Sequence, residues 1–275
     1  MDTKEVLEFV SQTHPGMIRS HNEDSVTYDA RSGLVVLADG MGGYNAGEIA
    51  SGIAVSVISS EIRERLQSVK PEHKDRHTGE EMGVILLREY VKKANSSIFN
   101  AANSQPQYSG MGTTLVTGLF YDDRVAVAHV GDSRMYRLRG ETFESVTKDH
   151  SLLQEQIDSG MISKEDARTS KNKNLVTRAV GIDADVVPEI NVHEVQVGDV
   201  YLFCSDGLND MVVDEEIGST LQMLKANLPL AATELIQLAN DNGGRDNVSV
   251  ILVKVNGKFS SPRGLVAKIL SWFKN

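Results

Sequence analysis

The chain has a single cysteine, Cys204, so no disulfide can form within it. A lone thiol in an apolar stretch reads as a small core residue and suits a reducing compartment. The chain also lacks the basic excess that accompanies nucleic-acid binding: 28 Lys and Arg against 38 Asp and Glu leave a net charge of -10. No apolar run approaches the roughly 18 residues of a membrane helix. The N-terminal residues Met1-Asp-Thr-Lys-Glu5 show neither the basic start nor the apolar stretch of a secretory signal. Internal repeats and low-complexity runs are missing as well. These absences set the expectation of a soluble, cytoplasmic protein with no transmembrane segment and no nucleic-acid partner. Its 275 residues, 40% hydrophobic and 24% charged, suffice for a sizeable core in one large domain or two small ones.

What the chain does have is a recurring junction between an apolar run and an aspartate. Leu34-Val-Val-Leu-Ala-Asp39-Gly-Met-Gly-Gly43 stops abruptly on a carboxylate followed by glycines. The run reads as a strand covered on both faces, although periodicity alone also allows a buried helix segment. Gly40, Gly42 and Gly43 favour the strand, because they permit positive φ and close approach to the backbone. Alone, Asp39-Gly40 would be an ordinary turn. The pattern repeats, however, where residues 125–131 run into Asp132 and residues 200–205 run into Asp206-Gly207. It is mirrored where Asp246 precedes the strand at 248–253. Strand ends can converge, so these four aspartates could share one pocket. Carboxylates so close raise one another's pKa unless cations neutralise them. Hard oxygen ligands without His or Cys point to Mg²⁺ or Mn²⁺ rather than zinc or copper.

Arg19-Ser-His-Asn-Glu23-Asp24, Asp39-Gly-Met-Gly-Gly43, Gly112-Thr-Thr114, Gly131-Asp-Ser-Arg134, Ser205-Asp-Gly207 and Gly244-Arg-Asp-Asn-Val-Ser249 follow in order along the chain. This set resembles the motifs of the metal-dependent protein serine/threonine phosphatases, the PP2C or PPM family, and is similar in layout to the compact bacterial branch. The resemblance spans roughly residues 6–255. It implies an α+β fold: a four-layer α-β-β-α sandwich of two antiparallel sheets flanked by helices. It implies two Mn²⁺ or Mg²⁺ ions, with Asp39 bridging them, the Gly40 carbonyl on one, and Asp206 and Asp246 on the other. Asp132 with Asp206 would hold a third ion. Arg19 matches the phosphate-binding arginine, while Glu23 and Asp24 match acidic residues that hold metal-bound waters. The implied reaction is hydrolysis of phosphoserine and phosphothreonine in proteins by metal-activated water.

The remaining stretches fill in this frame. Residues 46–66 and 82–99 read as helices, the first rich in small residues, with an exposed polar connection at 67–81. Residues 115–146 read as successive strands joined at Asp122-Asp123, at Gly131-Asp-Ser133 and at Arg139-Gly140-Glu141, a meander within one antiparallel sheet. In that reading Asp132 is most simply a turn residue. His150, beside the helix cap at Asp149 to Ser151, reads as structural rather than as a proton donor. Residues 1–257 form the phosphatase-like domain. A charged segment at about 155–175 is a solvated loop that the resemblance makes a flap beside the cleft. Residues 258–275 form a basic amphipathic tail, which packs on the domain or docks a partner or an anionic membrane surface.

One departure concerns Met41, where animal relatives carry a histidine thought to protonate the leaving group. Water on a metal, or a histidine such as His21, could serve instead. The expected partners are phosphorylated proteins, the Ser/Thr kinase that modifies them and that kinase's substrates, met by a monomer. Three rival readings are a regulatory phosphatase of an anti-sigma antagonist, a different metal phosphoesterase and a catalytically silent phosphoprotein-binding module. The last would have lost a metal ligand, whereas every acidic position is filled.

Overall fold

A computed structural model describes residues 3–43, 46–163, 166 and 175–261. The run at 34–41 is a strand, β3 (Leu34–Met41), and its continuous apolar character has a direct cause. Successive side chains of a strand point to opposite faces. Leu34, Val36 and Ala38 pack into one cluster and Val35 and Leu37 into another, so both faces are buried. β3 lies in a six-stranded antiparallel sheet with β2 (Asp24–Asp29), β5 (Leu115–Tyr121), β6 (Arg124–Val130) and β9 (Glu189–Glu194), in the order β2-β3-β5-β6-β9. The short β4 (Gly112–Thr113) pairs with the end of β3. A five-stranded sheet runs β1 (Leu7–His14), β11 (Val248–Val255), β10 (Val200–Cys204), β7 (Arg134–Arg139), β8 (Thr142–Ser145).

Helices cover the outer face of each sheet. On the six-stranded sheet, α1 (Ala46–Arg65) and α2 (Met82–Ser104) share a cluster with Leu34, Val36 and Ala128. Ala46, Ala50, Ala54, Ile58 and Ile62 recur every fourth residue and are fully buried, so α1 rests on the sheet through small side chains. Chain order then gives α3 (Leu152–Asp158) and the single turn α4 (Asp206–Asn209). On the five-stranded sheet, α5 (Asp214–Leu224) and α6 (Leu228–Asp241) pack against Leu202, Cys204 and Val250. Pro229 sits in the first turn of α6, where its missing N–H costs nothing. Between the sheets lie Val35, Leu37, Phe120, Met135, Tyr201, Phe203 and Ile251, with Phe120 and Tyr201 edge to face at 5.4 Å. The molecule is therefore the four-layer sandwich that the resemblance implied.

The meander expected over 115–146 is corrected by the pairing. β5 and β6 form a hairpin in the six-stranded sheet, whereas β7 and β8 belong to the other sheet. β6 is buried on both faces and its second edge is taken by β9, which leaves no position for β7 beside it. Asp132 is thus not a hairpin turn but part of a crossing from one sheet to the other. Phe259 is fully buried against the inter-sheet cluster, and its N–H donates to Asp123 Oδ1 at 2.6 Å. Residues 262–275 of the proposed tail, and residues 164–165 and 167–174 of the proposed flap, lie outside the described residues. Among those described, no helix is long and apolar enough to cross a membrane.

Phe203 reports on the inter-sheet layer. Phe203→Ala is expected to lower the unfolding free energy by about 3–5 kcal/mol in urea titrations. Met223→Ala, at a side chain 74% exposed, should change it by less than ~0.5 kcal/mol.

Candidate functional site

The alternation that buries Val35 and Leu37 between the sheets carries Asp39 onto the same face, just past the apolar core. Asp24 is directly opposite Asp39 in the β2–β3 register and so shares that face. The C-terminal end of β10 delivers Asp206 to the same end of the sandwich. The N-terminal end of β11, antiparallel to β10, delivers Asp246 there. The sheet-to-sheet crossing after β6 adds Asp132. Asp24 and Asp132 are buried, while Asp39, Asp206 and Asp246 line the opening and keep part of their surface. All five predicted aspartates are thus brought together.

Backbone and hydroxyl bonds hold this arrangement. The Asp39 carbonyl accepts from Thr114 N–H and Thr113 Oγ1, both at 2.8 Å. Thr114 Oγ1 lies 2.7 Å from Ser133 Oγ and so ties β3 to the Asp132 crossing. Ser205 Oγ donates to Asp24 Oδ2 at 2.8 Å and accepts from Ser249 N–H at 3.0 Å. Gly40 N–H donates to the Glu23 carbonyl at 3.1 Å. A Cβ on Gly40 would lie 2.1 Å from the Gly47 carbonyl oxygen, so close approach to α1, not positive φ, demands glycine there. Glu23 sits beside Gly47 at the start of α1, and Arg19 Nη2 contacts Asp246 Oδ2 at 2.7 Å with both side chains partly exposed. Met41 is half-buried opposite Gly112, and His21 is exposed.

Three contributors escaped the sequence reading. Asn247 donates to the carbonyls of Pro15 and His21 and accepts from Glu23 N–H at 2.7 Å, fastening residues 15–23 to β11. Its position inside Gly-Arg-Asp-Asn-Val-Ser was the available signal. Asp210 adds negative charge to both Asp132 and Asp206. Its spacing of four from Asp206, one helical turn, was legible in principle. Arg134 makes a two-pronged contact with Asp149 at 2.8 and 2.7 Å, which braces β7 against the segment leading to α3.

Electrostatics is the dominant feature. Burial first, then the charges of Asp24, Asp206, Asp132 and Asp246, push the Asp39 carboxyl well above the ordinary carboxylate range. Burial, then Asp132, Asp210, Asp246 and Asp24, does the same to Asp206. Asp24 and Asp132 rise to about 6, each chiefly by burial. Glu23 is raised by burial against the opposing pull of Arg19. Asp24 Oδ1 is buried with no hydrogen-bond partner. Orphaned oxygen, converging carboxylates and the absence of His or Cys among them fit hard divalent cations.

The same shifts fix a pH dependence. Asp24 and Asp132 bind protons more tightly folded than unfolded, so their contribution is whole below the unfolded value of 3.8 and is lost as pH rises through about 6. Asp39 and Asp206 extend the loss upward. In chelator, the melting temperature should therefore fall between about pH 5 and pH 8, and saturating Mn²⁺ should flatten the decline. A chelated melting temperature that climbs over that interval would contradict the assignment.

Known proteins resemble this chain in sequence and in fold. The family model for protein phosphatase 2C matches residues 19–243. The serine/threonine phosphatase stp of Listeria welshimeri is 38% identical over 248 residues, covering 89% of this chain and 94% of that one. The crystal structure of the Mycobacterium tuberculosis serine/threonine phosphatase PstP/Ppp superposes with a TM-score of 0.82 at 36% identity, over 92% of this chain and 100% of that one. The PstP catalytic domain in complex with 2 manganese ions gives 0.79 at 36% identity, over 92% and 99%. The chain belongs to the protein phosphatase 2C family of metal-dependent serine/threonine protein phosphatases.

Proposed function

We propose that this serine/threonine phosphatase hydrolyses phosphoserine and phosphothreonine in proteins directly with water, at a centre where Asp39, the Gly40 carbonyl, Asp206 and Asp246 hold two Mn²⁺ or Mg²⁺ ions. Asp132 with Asp206 would hold a third. The single observation that carries the reading is the convergence of five aspartates whose pKa values are raised by burial or add to the charge that raises them. When bound, such ions neutralise that charge, polarise phosphoryl oxygens and lower the pKa of water.

The chain's own residues supply the rest. Arg19 lies at the opening, and its planar guanidinium can grip two phosphate oxygens at once and fix the direction of attack. Glu23 and Asp24 would orient water at the edge of the cluster, a role supported by the unpartnered Oδ1 of Asp24 and by the position of Glu23 beside Gly47. Cys204 is buried against α5 and α6, and burial pushes its thiol far above the reactive range, so no cysteine nucleophile operates. Met41 cannot donate a proton to the leaving group. Exposed at the opening, His21 is the side chain in this segment able to do so. Reversal of a Ser/Thr kinase, by a cytoplasmic monomer, completes the reading. The buried lone thiol suits a reducing compartment.

Phosphate release from phosphothreonine and phosphotyrosine peptides, with Mn²⁺, Mg²⁺ or chelator, tests the assignment. Asp206→Asn should lower kcat by about 10²–10³-fold, the scale of removing one preorganised charge-stabilising group. Arg19→Ala should lower kcat/KM by about 10–100-fold, the worth of hydrogen bonds to a charged group. Release that persists in chelator, or full activity of Asp206→Asn, would overturn the proposal.

A further inference from the structure

Beside the acidic cluster stands a second group of titratable side chains that the mechanism leaves unused. Ring nitrogens of His129 and His150 and a carboxylate oxygen of Glu189 lie within 4.8 Å of one another. Both histidines are buried, and their rings stack at 4.7 Å with 20° between planes. A metal ion is the first possibility to weigh, and hydrogen bonding argues against it. Gly131 N–H donates to His150 Nδ1 at 3.2 Å, so the neutral ring carries its proton on Nε2. That nitrogen then has no lone pair for an ion. His129 Nε2 lies 2.8 Å from the Lys148 carbonyl, an acceptor, and so donates to it. Glu189 Oε2 is 3.5 Å from His150 Nε2, too far for a hydrogen bond, and that Nε2 is buried without a partner.

His150 makes two of its bonds to Gly131, the residue before Asp132. Its backbone N–H donates to the Gly131 carbonyl at 2.9 Å, while its Nδ1 accepts from the N–H of the same residue. Gly131 has φ 106°, a conformation reserved for glycine, and the next residue is Asp132. On its other side the His150 carbonyl accepts from Thr177 N–H at 2.8 Å, and Ser151 pairs with Val176. One residue thus clamps both polar groups of Gly131 and is itself fixed to the stretch 175–177. His129, stacked on it and tethered to Lys148, closes the ring against rotation.

We propose that His150 is a positioning residue for the third cation, with Nδ1 as the acceptor that holds the Gly131–Asp132 crossing so that Asp132 is presented to the cluster. The inference rests on the reading of Asp132 as a ligand for that cation. Removing the acceptor strands a buried N–H and frees the crossing to turn. The loss falls on the ion held by Asp132 and spares those held by Asp39 and Asp246.

Calorimetric titration of the full chain with Mn²⁺ separates the possibilities. The amide oxygen of Asn can take the place of Nδ1, whereas Leu offers no acceptor. His150→Leu should weaken the weakest Mn²⁺ site by about 10–100-fold, the usual cost of losing a group that orients a ligand, with the tighter sites unchanged. His150→Asn should restore most of that affinity. Wild-type affinity in His150→Leu, or equal loss in both variants, would overturn the inference. Asp132→Asn distinguishes the two layers: if it leaves every Mn²⁺ site intact, the reading of Asp132 fails. Nitrogen NMR of the wild type needs no variant, and a proton found on His150 Nδ1 would also overturn the proposal. So would a Zn²⁺ site that His129→Ala abolishes.

Discussion

The mutual repulsion of carboxylates gathered at one end of the sandwich is the constraint to which the rest of the structure answers. Asp39 and Asp206 each feel Asp24, Asp132 and Asp246 or Asp210 at once, in a setting that also withholds water. Such a group is tolerable only if protons or cations neutralise it. The surroundings provide hydroxyls and amides in place of neutralising charge: Ser205 and Thr114 contact the cluster or its backbone, and Ser249 and Ser133 contact them in turn. Arg19 is in direct contact with Asp246 and half exposed, and Arg134 acts on Asp132 from a distance. The site is thus a negative socket awaiting positive charge, with much of its rigidity supplied by neutral groups.

That socket follows from strand geometry. A period of two carries the inward face of β3 from Val35 through Leu37 to Asp39, so the residue that ends the apolar core begins the polar site. Antiparallel pairing puts Asp24 opposite, and the β10–β11 pair brings Asp206 and Asp246 to the same end. The inter-sheet layer of Phe120, Tyr201 and Phe203 then fixes the spacing between the two halves of the site. Stability and ligand geometry are in this sense one problem. A void between the sheets would shift one set of aspartates relative to the other.

Much of this was legible before any coordinates. Runs such as 34–38 and 200–204 announce strands buried on both faces, and an aspartate at the end of each marks a shared edge of the sandwich. The layered architecture itself came from the family motifs, because periodicity does not say which strands share a sheet. The same gap explains the mistaken meander: local turn signals at Gly131-Asp-Ser133 look alike whether the chain returns beside itself or crosses to another sheet. Asn247 and His150 were harder still. Their roles depend on contacts with residues far away in sequence, such as the Asn247 bonds to Pro15 and His21, and no spacing rule encodes those.

The central claim is that divalent cations replace protons on a carboxylate cluster whose affinity for protons has been raised by burial and repulsion. Counting the protons released as Mn²⁺ binds, by calorimetry in buffers of different ionisation enthalpy, tests it most directly. The account predicts release that is large near about pH 6, where Asp24 and Asp132 are half protonated, and that diminishes as the pH is raised. Mn²⁺ binding with no proton release at that pH would contradict it, and so would the absence of Mn²⁺ binding.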